Sequence, residues 1–189
     1  MAYANKSTLA CNLRGALGKE LVFRDWDGKT ITSKYPGRKK GDPTLRQAAM
    51  RERFHLGTLY AKAIGEDPDP GMKESYAAAL KPRQNVYSRA LQDFMSPPVV
   101  KSIHSRRYSG IVGDRITIRA TDDFRVVSVR AEIYSAAGIL LEAGEAQPGN
   151  RGLDWHYTVT RPNPLTVGSR IIAIATDVPG NEGILEITL

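Results

Sequence analysis

The chain has 189 residues, 41% of them hydrophobic and 25% charged, a globular composition rather than a disordered one. No apolar run approaches the roughly 18 to 20 residues that a membrane-spanning helix needs, and a single cysteine, Cys11, excludes an internal disulfide framework and a cysteine-built zinc site. A formal net charge of +7 favours acidic partners, and it is uneven: residues 1–98 carry nine Lys and eight Arg against ten acids, whereas residues 99–189 balance ten cations with ten acids.

Residues 1 to about 13 read as a flexible start with no apolar core of a secretory signal, so the expected location is the cytoplasm or a particle assembled there. Asp27-Gly28 between short β-prone runs predicts a hairpin, with strands near Glu20–Trp26 and Lys29–Tyr35. Pro36-Gly37 ends the second strand, and Arg38-Lys39-Lys40-Gly41 reads as a loop. Asp42-Pro43 opens a helix to about Ile64, with Asp42 as its cap. Leu45, Ala49, Leu56, Leu59 and Ala63 share one face of that helix, while Met50, Phe54 and Ala61 form a second stripe. Both stripes are expected to be covered, by the following helices and by the hairpin. Asp67–Gly71 reads as a turn, Met72–Leu80 as a short helix and Arg83–Phe94 as a third.

After Pro97-Pro98 the periodicity becomes two. Val99–His104, Arg115–Arg119, Val127–Tyr134, Gly138–Ala143, Trp155–Val159, Ile171–Ala175 and Ile184–Leu189 read as strands separated by turn residues. The stretch Ala173–Asn181, followed by a last strand, resembles the closing hairpin of bacterial immunoglobulin-like domains, with Trp155 as the core aromatic. The expected fold is therefore α+β and multidomain. Residues 1–98 form a small, mainly helical domain with a β-hairpin, and residues 99–189 an antiparallel immunoglobulin-like β-sandwich.

No catalytic constellation emerges. Gly15-Ala-Leu-Gly18-Lys19 lacks the spacing of a phosphate-binding loop, and Glu20 stands where Ser or Thr would follow the Lys. His55, His104 and His156 sit at no metal-ligand spacing. Asp122, Asp123, Asp177 and Glu182 approach one end of the expected sandwich; turn chemistry is the reading taken, and calcium ligation the alternative. No cofactor, metal or small-molecule substrate is expected.

The basic segment is the remaining candidate. Lys34, Arg38, Lys39, Lys40, Arg46 and Arg53 are the expected binding residues, with Arg24, Lys19 and Lys29 beside the hairpin and Trp26 and Tyr35 interleaved. Gly18, Lys19, Trp26, Gly28, Lys34, Pro36, Gln47, Arg51 and Phe54 together resemble the start of uncharacterised two-part Bacteroidetes proteins: a Gly-Lys, a hairpin, a basic segment, then Gln-x-x-x-Arg-x-x-Phe on a helix. That resemblance implies a β-rich second half and carries over no activity, since the family has no established function. Gln47, Arg51 and Phe54 fall within about 60° of helical arc and read as a ridge bracing the hairpin. The expected function is a non-enzymatic structural or adaptor protein of a larger assembly, phage-like in architecture. It would dock through the basic head on an acidic protein surface or by self-assembly, with nucleic-acid binding by the same head as the alternative and no membrane partner.

Overall fold

The computed structural model describes residues 2–4, 13–37, 41–66, 70–150 and 152–189. The expected loop residues Arg38–Lys40, the turn residues 67–69 and positions 5–12 of the expected flexible start, Cys11 among them, lie outside the described residues. Two compact units divide the chain, residues 1–44 and 45–189.

The first unit is an antiparallel sheet. Its strands are β1 (Ala2–Ala4), β2 (Gly15–Leu17), β3 (Leu21–Trp26) and β4 (Lys29–Lys34), in the order β1-β4-β3-β2. Ala2–Ala4, expected to be flexible, is thus the strand beside β4. The β3–β4 hairpin turns where the sequence places it: Asp27 and Gly28 both take positive φ, 58° and 69°, as a two-residue turn between right-twisted strands requires. The Asp25 carboxylate accepts the Gly28 N–H at 3.1 Å and an Arg14 N–H at 2.8 Å, tying the tip together. Gly18 and Lys19 take positive φ as well and turn β2 into β3, so this Gly-Lys is hairpin chemistry and does not open a helix. Gly28→Val should cost about 1–2 kcal/mol, because a β-branched side chain resists φ near +69° although nothing lies within 4 Å of its Cβ. Chemical denaturation reads the loss, and unchanged stability would contradict it.

In the second unit, helices α1 (Leu45–Gly65), α2 (Pro70–Ala78) and α3 (Val86–Met95) precede eight strands. α1 starts three residues beyond the expected Asp42 cap. α3 starts after Asn85, whose side chain accepts the Ser88 N–H while the Ser88 hydroxyl accepts the Asn85 N–H, a reciprocal cap. The face of α1 that packs is neither expected stripe alone: Gly57, Ala61 and Ile64 are buried, and Leu45, Leu56 and Leu59 stay exposed, Leu45 at 92%. The reason is Gly57. A Cβ there would come within 2.9 Å of both Leu91 and Phe94, so the missing side chain lets α3 lie close along that side.

The strands are β5 (Val99–His104), β6 (Arg115–Thr121), β7 (Val126–Tyr134), β8 (Leu140–Glu145), β9 (Gln147–Pro148), β10 (Asp154–Thr158), β11 (Arg170–Asp177) and β12 (Glu182–Thr188). They form two antiparallel sheets, β5-β6-β10-β9 and β12-β11-β7-β8. Alternate residues enter one core: Ile116, Ile118 and Ala120 from β6, Val129, Ala131 and Ile133 from β7, Ile171, Ala173 and Ala175 from β11, and Trp155 and Tyr157 from β10. β11 lies between β12 and β7, in keeping with its near-continuous apolar sequence.

The expected fold class needs correction. Among the described residues the protein is mostly β, three four-stranded antiparallel sheets with three helices, and no helical N-terminal domain precedes a sandwich. The residues ahead of α1 make a sheet of their own. The helices share their apolar cluster with Phe124 and Val178, which follow β6 and β11: Ala61, Ile64, Tyr76 and Ala90 pack there. Tyr76 stacks on Phe124 with ring centroids 4.4 Å apart. Pro98 is buried inside the second unit, with its carbonyl where a Cβ on Gly183 would collide with it.

Candidate functional site

The described residues of the first unit form a sheet with little buried side-chain surface. Thr30 is its only buried side chain among the described residues, and Leu17, Leu21 and Trp26 are exposed. Directly opposed residues of an antiparallel pair share a face. The register opposes Trp26 to Lys29, Arg24 to Ile31 and Val22 to Ser33, so Arg24, Trp26 and Lys29 stand together on one face of the β3–β4 hairpin. All three are exposed, and the Trp26 indole is 67% open to solvent. A large aromatic kept in water between two cations costs hydrophobic free energy that only a partner recovers. Across residues 1–44 the sequence places nine Lys and Arg against four acids.

Of the six expected binding residues, Lys34, Arg46 and Arg53 are among the described residues. Lys34 is exposed at the end of β4 but opposes Leu21, on the face away from Trp26. Arg38, Lys39 and Lys40 lie outside the described residues. Arg46 is exposed on α1, in the second unit. Arg53 points into that unit: its guanidinium reaches the Phe94 carbonyl at 3.5 Å and Asn181 Oδ1 at 3.4 Å. The sequence noted Arg24, Lys29 and Trp26 only as neighbours of the basic run; strand register is the signal that puts them on one face.

A second polar cluster, buried, joins the helices to the strands. Arg89 on α3 is 1% exposed, and its guanidinium donates to Asp123 Oδ2 at 2.9 Å and to the Asp123 carbonyl at 2.5 Å. One turn further along α3, fully buried Asp93 accepts the Tyr76 hydroxyl at 2.5 Å, and Tyr76 shares a 2.8 Å hydrogen bond with Tyr60. Burial pushes the Asp93 carboxyl up to about 7; the Tyr76 bond opposes this, and the Asp122, Asp123 and Asp177 charges add to it. Burial and the Asp93 bond drive the Tyr76 hydroxyl far above its ordinary value. Asp177, 2% exposed, is also raised by burial and is held by the Asn181 N–H at 2.6 Å and Nδ2 at 2.7 Å. The sequence grouped Asp122 and Asp123 with Asp177 and Glu182; the structure keeps Asp177 within electrostatic reach of Asp122 and adds Asp93, with one carboxylate oxygen each of Asp93, Asp122 and Asp123 lying within 4.8 Å of one another.

A cleft of about 510 Å³ on the β6–β10 sheet is lined by Arg115, Pro148, Gly149, Asn150, Asp154 and His156. His156 Nδ1 is hydrogen-bonded to the Thr117 hydroxyl at 3.2 Å, and Asp154 is held below its ordinary pKa chiefly by its hydrogen bond from Arg119. Among the described residues, no nucleophile paired with a base lines it. His104 contacts Ser102 instead, and His55 is exposed on α1.

No family model matches the sequence, and no curated protein matches it. Two solved structures are similar over about half of this chain. One is an engineered protein solved as a structural-genomics target, at 19% identity and a TM-score of 0.30, covering 48% of this chain and 18% of that one. The other is a fungal alcohol oxidase of the AA5 family in complex with copper, at 17% identity and a TM-score of 0.32, covering 49% and 20%. The chain thus spans about a fifth of each. No described helix is long and apolar enough to cross a membrane.

Proposed function

We propose that this chain is a non-enzymatic structural or adaptor protein that docks through the basic sheet of its first unit on an acidic protein surface within a larger assembly. The observation that carries the reading is Trp26, exposed on the face it shares with Arg24 and Lys29, in a sheet with a single buried side chain among the described residues. Trp and Arg are the side chains most enriched where interfaces hold their binding energy. A partner seated there would bury the indole and pair both cations. The same face supports a second reading, because an aromatic beside cations is also a platform on which nucleic-acid bases stack.

The two readings separate in one experiment on the full chain. Binding of poly-glutamate and of random-sequence duplex and single-stranded DNA is measured by anisotropy against salt, with wild type and the double variant Arg24→Glu, Lys29→Glu. Both positions are exposed, so stability should move by no more than about 0.5 kcal/mol. Docking on an acidic protein predicts poly-glutamate binding about tenfold weaker in the variant, with DNA binding weak at physiological salt. Tight DNA binding that falls steeply with salt in wild type and is lost in the variant would replace the preferred reading with the second. Binding unchanged by the double variant would remove the hairpin face from both.

A further inference from the structure

The Asp93–Asp122–Asp123 cluster brings together one fully buried, one half-buried and one exposed carboxylate, with the buried Arg89 bonded to the last. Arg89 is committed to Asp123 through two of its nitrogens. Asp122 Oδ2 accepts the backbone N–H groups of Phe124 and Arg125 at 3.0 and 2.9 Å, which fixes the loop between β6 and β7 and orients the carboxylate. Asp93 Oδ2 accepts from Tyr76. The remaining oxygen of each, Asp93 Oδ1 and Asp122 Oδ1, is buried and has no hydrogen-bond partner, although Asp93 is 0% exposed. Asp177 adds a further buried carboxylate whose charge is felt at Asp93. A buried carboxylate oxygen with no hydrogen-bond donor is costly for a fold to hold. Arg89, whose Nε is also buried without a partner, brings one positive charge to three carboxylates.

We propose that Asp93, Asp122 and Asp123 form a site for a hard divalent cation of the calcium class, at the junction of α3 with the β6–β7 loop. Three elements of geometry and chemistry support it. The donors are all carboxylate oxygens, the set that hard cations select over thiolate- or imidazole-seeking metals. Oxygens within 4.8 Å of one another can face each other across an ion whose bonds to oxygen are roughly 2.3–2.6 Å. Asp93 and Asp122 are each already oriented by hydrogen bonds to one oxygen, so the ion would meet a largely prearranged site. A bound cation would clamp helix α3 to the strands through the loop that Arg89 also holds, making the second unit's stability depend on the ion.

The test uses the full chain, stripped with chelator and returned to metal-free buffer at pH 8. Calcium chloride is titrated by calorimetry and by thermal unfolding, with magnesium chloride and ionic-strength-matched potassium chloride alongside. The expected result is saturable one-to-one binding of calcium and a rise in unfolding temperature that potassium does not reproduce. Asp93→Asn and Asp122→Asn keep an oxygen for Tyr76 and for the loop amides, so each should still unfold cooperatively while binding calcium at least tenfold more weakly. Wild-type protein that shows neither binding heat nor a temperature shift with calcium or magnesium would overturn the proposal, since a water or a shared proton between the two oxygens gives none of these signals. An equal calcium response in wild type and in both variants would overturn it as well.

Discussion

Arg89→Ala is expected to cost about 3–5 kcal/mol of folding stability, among the largest losses any single substitution in this chain should cause. The guanidinium is 1% exposed and spans from α3 to the β6–β7 loop, 34 residues further along the chain, where it binds both the carboxylate and the carbonyl of Asp123. It also lies over the Phe124 ring, 5.4 Å from the centroid, on the aromatic that stacks against Tyr76. Removing it leaves a cavity and strips the local cation from a neighbourhood that holds Asp93, Asp122, Asp123 and Asp177. The penalty comes chiefly from carboxylates left without a counter-charge, more than from the lost bonds themselves. Arg89→Met with Asp123→Leu removes both members of the ion pair and should recover part of the loss, which a double-mutant cycle in urea measures. A single-variant loss below about 1 kcal/mol would mean that the helices hold to the strands by apolar contacts alone.

The strands of the second half were legible because their burial alternates. β6 places Ile116, Ile118 and Ala120 inward, and that period of two is written in the residues themselves. The Asp27-Gly28 turn was legible for a similarly local reason, since two consecutive positive φ values need Asp, Asn or Gly. The packing side of α1 was not. Leu45, Leu56 and Leu59 make a convincing apolar face, yet the helix turns Gly57, Ala61 and Ile64 inward, because close approach to α3 depends on a missing side chain that hydrophobicity does not register. The candidate hairpin face is written in the sequence only in part. The excess of cations near the hairpin is a property of composition, but the face that Arg24, Trp26 and Lys29 share follows from strand register, and Arg53 turns toward α3 and Asn181 for reasons lodged in the tertiary contacts. The meeting of Asp93 with Asp122 and Asp123 is likewise a long-range fact, as is the bond from Arg89 to Asp123.

Without divalent metal, the protein should lose stability as pH rises from about 4 to about 7, and Asp93 should be the main cause. Asp93 is faced by Tyr76 from α2 and Tyr60 from α1, by Asp122 and Asp123 from the β6–β7 loop, and by Asp177 from β11, while Arg89, four residues before it on α3, bonds to Asp123. Burial first, and then the three carboxylates, raise its folded-state pKa from 3.8 to about 7. Between those values the folded protein binds a proton that the unfolded chain has released, so stability falls with rising pH. The contribution is fully present below the unfolded pKa and is gone once pH passes the folded one. A fully bound proton gives a slope of about 1.4 kcal/mol per pH unit. Asp177, also raised by burial, adds to the trend with the same sign, whereas Tyr60 and Tyr76 are raised from values already above this window. Urea denaturation of chelator-treated protein at pH 5, 6, 7 and 8 should show the decline in wild type and a distinctly shallower one in Asp93→Asn, which carries no charge to expel. Parallel slopes in the two proteins would place the proton elsewhere, with Asp177→Asn the variant that then has to flatten the curve.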